Sequence, residues 1–236
     1  MTPQIKLYTA HHCPFAHRVQ IALRELGLTF DTVLVDITTP RTPEYLAINS
    51  TGMVPALLYD GRILTESGLI CQFLVDQYPE SRLVKTSSEE GGALQRYMIS
   101  CFVEVFSKTH AIFDAVVYSL GSQEEKASIA EQYIEAVAKN VEPFLQDSAP
   151  FFGGASEVTL AEVLAGPFVL RVLKYPSHAE LVPNCVLTRL QERAPLFWSW
   201  AHAIEAKSSV TAIWDEALVV ERTLERIKRS KMASKK

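Results

Sequence analysis

Only four cysteines, Cys13, Cys71, Cys101 and Cys185, occur in 236 residues, and their spacing pairs none with another. That excludes a disulfide scaffold and reads as free thiols in a reducing compartment. No apolar run is long enough to span a bilayer, and the start, Met1-Thr2-Pro3-Gln4, lacks a basic stretch leading into an apolar core. The expectation is a soluble, cytoplasmic protein without a stable membrane span. Cationic excess is missing too, and a net charge of −4 argues against nucleic acid as a partner. The one basic stretch is 222–236, where seven Lys or Arg face a single acid, Glu225. It reads as a solvated helix end ahead of an anion- or membrane-binding tail. Repeats and low-complexity tracts are absent. His11-His12 are neighbours in a turn with no further ligand cluster, so no metal is expected. What is present, 48% hydrophobic and 21% charged residues, suits one large domain or two modest ones with packed cores.

The patterning predicts a strand at 5–8, a helix at 14–26, a strand at 30–37, a helix at 43–48, strands at 56–59 and 62–64, and a helix at 67–78. Asp60-Gly61 joins the last two strands as a two-residue hairpin signal. The polar run 85–92 has the composition of a linker, and every long segment beyond it has helical period: 93–118, 124–146, 159–174, 186–206 and 214–229. Thr159-Leu160-Ala161-Glu162 is a capping box that starts the most apolar of these helices, which places that helix in the core. Phe151-Phe152 just upstream reads as packing. The expected organisation is an α/β unit at 1–84, a linker at 85–92 and an all-helical unit at 93–236.

Chemistry points first to Cys13, at the junction of the first strand and first helix. A cysteine there faces the unpaired N–H groups of the first helical turn, which favour thiolate, and Pro14 suits the first helical position. The expectation is a thiol pKa below its ordinary value. Where a Cys-x-x-Cys pair would carry a resolving thiol stands Ala16, so an outside thiol must clear any sulfur adduct, and that points to glutathione. Most cysteines are small buried hydrophobes, and Cys-Pro alone would not outweigh that. Two downstream segments do. Met53-Val54-Pro55-Ala56 precedes the hairpin, where a cis proline would expose the Val54 backbone to an extended peptide. Thr65-Glu66-Ser67 opens the next helix, with the Ser67 hydroxyl and nearby N–H groups suited to a carboxylate and Glu66 to an ammonium.

Taken together, the chain resembles a cytosolic glutathione transferase, most like the omega class, over nearly its whole length. Cys13-Pro14-Phe15-Ala16-His17-Arg18 resembles that class's Cys-Pro-Phe/Tyr-x-x-Arg motif, in which the cysteine forms a mixed disulfide with glutathione. Asn49-Ser50-Thr51-Gly52-Met53-Val54-Pro55 resembles the family's Asn-Pro-x-Gly-x-Val-Pro segment, and Glu66-Ser67 resembles the pair that binds the γ-glutamyl group. The resemblance implies a thioredoxin-like N-terminal domain (α/β) plus an all-α C-terminal domain, with Val54, Pro55, Glu66 and Ser67 binding glutathione as co-substrate and no tightly bound cofactor. It also implies a homodimer. Two positions depart from the pattern. Ile48 stands where omega-type proteins often place a lysine for the glycine carboxylate, with Arg41 as a candidate substitute, and Ser50 replaces the usual proline.

A pocket for a second, hydrophobic or glutathionylated small molecule is expected between the domains. Tyr97, Phe102, Phe106, His110 and Phe113 recur near helical spacing on the first long helix, and the resemblance implies a pocket role for Arg171, which lies where omega members often have an arginine facing the pocket; the candidate lining is Phe15, Phe106, His110, Arg171 and Trp214. The leading function is a thiol transferase that removes glutathione from mixed disulfides, with dehydroascorbate reduction and glutathione-dependent lyase chemistry open to the same two steps. A binding protein for apolar or phenolic ligands, with glutathione as modulator, ranks second. A membrane-inserting relative ranks last, although intracellular chloride channel proteins share a similar Cys-Pro-Phe start.

Overall fold

The computed structural model describes residues 3–233. Strand β1 (Ile5–Thr9) is central, paired in parallel with β2 (Asp31–Leu34) and antiparallel with β3 (Ala56–Tyr59), which pairs with β4 (Arg62–Leu64) in the order β2-β1-β3-β4. Between β1 and β2 runs α1 (Pro14–Glu25), between β2 and β3 the short α2 (Pro43–Ile48), and after β4 comes α3 (Ser67–Gln77). Strand β2 is shorter than the expected 30–37. The Asp36 carboxylate accepts from the Thr38 backbone N–H at 2.7 Å, and this side-chain turn takes the chain away from the sheet edge. Tyr8 faces α2 and stacks obliquely on Tyr45 at 5.8 Å, while Leu7 turns inward to the main core.

The polar run after α3 is tied down rather than loose. The Gln95 side chain accepts from the Lys85 N–H, and Arg96 donates to the Lys85 carbonyl, each at 2.8 Å. Gly92 opens α4 (Gly92–Tyr118) so close to this run that a Cβ would meet the Thr86 carbonyl oxygen at 1.9 Å. Helix α5 (Gln123–Ala136) widens through 137–141, where Glu142 N–H reaches back five residues to Val137, and tightens around Pro143, so the expected single helix over 124–146 changes pitch. The expected helix at 186–206 is two, α7 (Cys185–Arg193) and α8 (Pro195–Glu205). Ala194, with φ −140° and ψ 62°, is out of the helical region because Pro195 disfavours a helical residue before it. After the single turn α9 (Ser208–Thr211), α10 (Glu216–Ala233) begins beyond Trp214. The final residues of the expected basic tail, 234–236, lie outside the described residues.

Helix α6 (Leu160–Lys174) is buried along nearly its whole length and packs against α1, α4 and α8, so one core joins the sheet half to the helical half. Its capping box is realised at the centre of the molecule. Fully buried Glu162 accepts from the Thr159 N–H and hydroxyl, the Phe152 N–H and the Trp200 indole. Phe152 packs on Phe102, and Phe102 on Trp200.

Candidate active site

The chain leaves β1, turns so that Cys13 N–H meets the Ala10 carbonyl at 2.9 Å, and enters α1 at Pro14. Cys13 is thus the N-cap, with extended backbone and no capping bond of its own. Its Sγ lies 3.8 Å from the Val54 carbonyl oxygen. The expectation of a depressed thiol pKa is corrected here. The sulfur is enclosed by Ala10, Ala16, Tyr45 and Val54, and burial pushes the thiol up, against the smaller downward pull of the Ala16 and Phe15 N–H groups and the Arg171 and Arg18 charges. Two of the enclosing residues, Tyr45 and Val54, are remote in sequence.

Sheet register brings the other predicted residues to this end. Tyr8 pairs with Ala56 and Leu57 with Leu64, so Val54 and Glu66 leave the sheet at the edge where β1 delivers Cys13. The segment before Val54 is fixed by Tyr45 and Asn49, whose side chains both donate to the Met53 carbonyl. Gly52 adopts φ +65° and its carbonyl accepts from Arg41 Nε at 2.8 Å. The Val54–Pro55 bond is cis, and the Val54 N–H has no partner among the described residues. Exposed Glu66 is a non-glycine residue at φ +66°, held there as the N-cap of α3, and buried Ser67 follows with its hydroxyl unbonded among the described residues. The open Val54 peptide lies beside the thiol, and a helix N-terminus, a serine hydroxyl and an exposed carboxylate stand at the same end of the sheet.

Arg41 is not a free substitute for the absent lysine. Its guanidinium also donates to the carbonyls of Asp36, Thr39 and Ile37, so it staples the loop before α2. Among the described residues no group of three or more His, Cys, Asp or Glu is placed to hold a metal.

The candidate second-substrate residues divide. Phe15, Phe106 and His110 line one cleft of about 130 Å³ with Arg18, Asp114 and Phe168. His110 is buried, stacks on Phe106, meets Phe168 edge-on at 5.0 Å, and has no hydrogen-bond partner at either ring nitrogen. Burial holds its pKa down to about 3, so the ring is neutral at pH 7. Arg18 donates through Nε to the Leu164 carbonyl at 2.7 Å and sits 4.7 Å from the Phe168 ring centre. Arg171 and Trp214 are outside this cleft and pair with each other at 5.4 Å. Arg171 also donates to the His12 carbonyl at 2.9 Å, tying α6 to the turn ahead of Cys13. Phe102 and Phe113 belong to the core and Tyr97 is 62% exposed, so the expected aromatic stripe is not one pocket wall. The lining not expected from the sequence is Arg18, Ser107, Ala111, Asp114 and Phe168; Ser107, Ala111 and Asp114 follow Phe106 and His110 at helical spacing, which was the available signal for those three, whereas packing brings in Arg18 and Phe168.

Residues 7–82 match the family model described as the glutathione S-transferase N-terminal domain. The chain is 28% identical over 171 residues to glutathione S-transferase omega-1 of Rattus norvegicus, covering 72% of this chain and 67% of that one. Among solved structures, rice GST1 in complex with glutathione superposes with a TM-score of 0.81 at 22% identity, over 97% of this chain and 98% of that one. Glutathione transferase Omega 1C of Trametes versicolor superposes with a TM-score of 0.77 at 23% identity, over 95% and 97%.

Proposed function

We propose that this chain, a glutathione transferase of omega-like kind with the family's thioredoxin-like N-terminal domain and helical C-terminal region, acts as a thiol transferase through Cys13. The observation that carries the reading is the lone Cys13 sulfur at a helix N-terminus, 3.8 Å from the Val54 carbonyl and beside an unpaired Val54 N–H. Glutathione's cysteinyl unit would pair with both Val54 backbone groups, its γ-glutamyl carboxylate with Ser67 and the α3 N-terminus, and its ammonium with Glu66. Rice GST1, whose solved structure holds glutathione, supports this by its fold.

In the proposed cycle Cys13 gives up its proton and attacks the glutathionyl sulfur of a mixed disulfide. A Cys13–glutathione disulfide forms, and the substrate leaves as a thiolate that takes a proton from solvent. A second glutathione thiolate then attacks the glutathionyl sulfur, releasing oxidised glutathione and restoring Cys13. With Ala16 in the place of a resolving cysteine, this second step needs an outside thiol. Residues 1–84 would hold glutathione, 93–236 the other substrate, and 85–92 the connection. The raised thiol pKa assigns Cys13 a protonated resting state, with the first-turn N–H groups stabilising the thiolate as it forms.

Exposed apolar residues on β4, α3 and the start of α4, among them Leu69, Leu94 and Tyr97, favour a homodimer, and light scattering should find twice the 26.3 kDa chain mass. A monomer would remove the dimer and leave the Cys13 chemistry standing. The test of the chemistry is reduction of hydroxyethyl disulfide by glutathione. Cys13→Ser should abolish it while the fold persists, and retained turnover would move the reaction to another thiol.

A further inference from the structure

Glutathione carries two carboxylates, and Ser67 with the α3 N-terminus accounts for only the γ-glutamyl one. With that end at Glu66 and Ser67 and the cysteinyl unit on Val54, the glycine end runs the opposite way, toward α2 and the loop that precedes it. A cleft of about 280 Å³ lies there, with Tyr8, Asp36, Thr39, Arg41 and Ile48 in its wall. Among the described residues the wall offers no usable cation. Ile48 is apolar, and Arg41 spends its guanidinium on four backbone carbonyls.

Helix α10 brings cations to the same loop from the far end of the chain. Arg229 Nη1 donates to the Thr38 carbonyl at 3.0 Å. Arg222 stands seven residues earlier, two helical turns away and so on the same face. Its charge acts on both Asp36 in the loop and His12 in the turn before Cys13. The helix is fixed to the helical half by the Tyr175–Thr223 hydroxyl contact at 2.9 Å and by Arg226 over the Tyr118 ring at 4.7 Å. Arg222 is half-buried and hydrogen-bonds through Nη1 to Glu225 at 2.9 Å, with the rest of its fork unengaged among the described residues.

We propose that Arg222 binds the glycine carboxylate of glutathione, with Arg229 as the positioning residue that holds α10 over the loop. The inference rests on the glutathione reading above and deepens it: the fold would take the cation missing at Ile48 from the C-terminal helix. A planar fork suits this task, since it can keep Glu225 on one edge and present its other donors to a carboxylate.

The experiment is calorimetric titration of the full chain, under reducing conditions, with glutathione and with its glycine monoethyl ester, which keeps the γ-glutamyl and cysteinyl groups and masks the carboxylate. The wild type should bind glutathione about three- to tenfold more tightly than the ester, the range for a charge-assisted contact in a half-exposed site. Arg222→Ala should erase that preference while leaving ester affinity unchanged, and Arg222→Lys should keep part of it. Equal affinity of the wild type for both ligands, or a preference that survives Arg222→Ala, overturns the assignment while the glutathione site stands. If the wild type binds neither ligand, the glutathione reading falls and takes this inference with it.

Discussion

Replacing Glu162 by alanine removes the acceptor for four hydrogen bonds at once, from the Thr159 N–H and hydroxyl, the Phe152 N–H and the Trp200 indole N–H. The residue is fully buried, so solvent does not replace the lost partner directly. The Thr159 hydroxyl can rotate to another acceptor, which leaves two backbone N–H groups and an indole N–H stranded. Each buried orphan costs ~1–3 kcal/mol, so the substitution should cost about 3–6 kcal/mol after partial relaxation. Total stabilities of ~5–15 kcal/mol make that a large fraction. At ~2–4 °C per kcal/mol for a chain of this size, Tm should fall by about 6–24 °C. Glu162→Gln keeps one acceptor oxygen and should lose roughly half as much. Differential scanning calorimetry on the two variants tests the ordering, and because α6 carries Arg171 to the His12 carbonyl, thiol transfer should disappear along the same melting curve. A Tm drop below ~3 °C for the alanine variant would refute the role of Glu162 as the hub of segments 151–162 and α8.

Further expectations follow from the site. Iodoacetamide alkylation of Cys13 should reach half its maximal rate at or above ~8.5, the free-thiol value, because burial raises the thiol; a midpoint well below that would mean the helix N-terminus dominates. Glu66→Ala and Ser67→Ala should each weaken glutathione binding, Ser67→Ala by ~1.5–3 kcal/mol and exposed Glu66→Ala by less, with the melting temperature little changed; unchanged calorimetric affinity in both would put the peptide elsewhere. His110 faces Arg18 on α1, Asp114 on its own helix and the Arg171 charge from α6, and is held neutral with a pKa lowered from 6.5 to about 3. The unfolded chain therefore takes the proton first, so the stability His110 contributes is complete above 6.5 and drains as pH falls toward 3. His110→Phe should lessen the acid-induced loss in urea titrations; an unchanged slope would contradict it.

The parts of the fold legible in the sequence were those specified by near neighbours. Pro43 and Thr42 start α2, Asp60-Gly61 joins β3 to β4, and Thr159 with Glu162 opens the buried helix, all where the residues place them. Boundaries set by tertiary context were less legible. Strand β2 ends early at an edge where Asp36 turns the chain, and the break at Ala194 depends on the backbone conformation Pro195 imposes. The same division runs through the site. Cys13 at the N-cap and the sheet-edge position of Val54 and Glu66 follow from local pattern, whereas the enclosure of the thiol comes from Tyr45 and Val54, brought in by packing. Arg171 looked like pocket lining because omega-class relatives often have an arginine facing the pocket at that position, and a resemblance cannot tell a side chain that faces a cavity from one that bonds a carbonyl 159 residues away.

The central claim is that Cys13 alone carries a reversible glutathione disulfide, and intact-mass measurement after incubation with oxidised glutathione tests it most directly. The account predicts one glutathione adduct per chain, absent in Cys13→Ser and removed by excess reduced glutathione. An adduct that persists in Cys13→Ser, or no adduct on the wild type, would contradict it, and the second outcome would put a glutathione-modulated ligand carrier in its place.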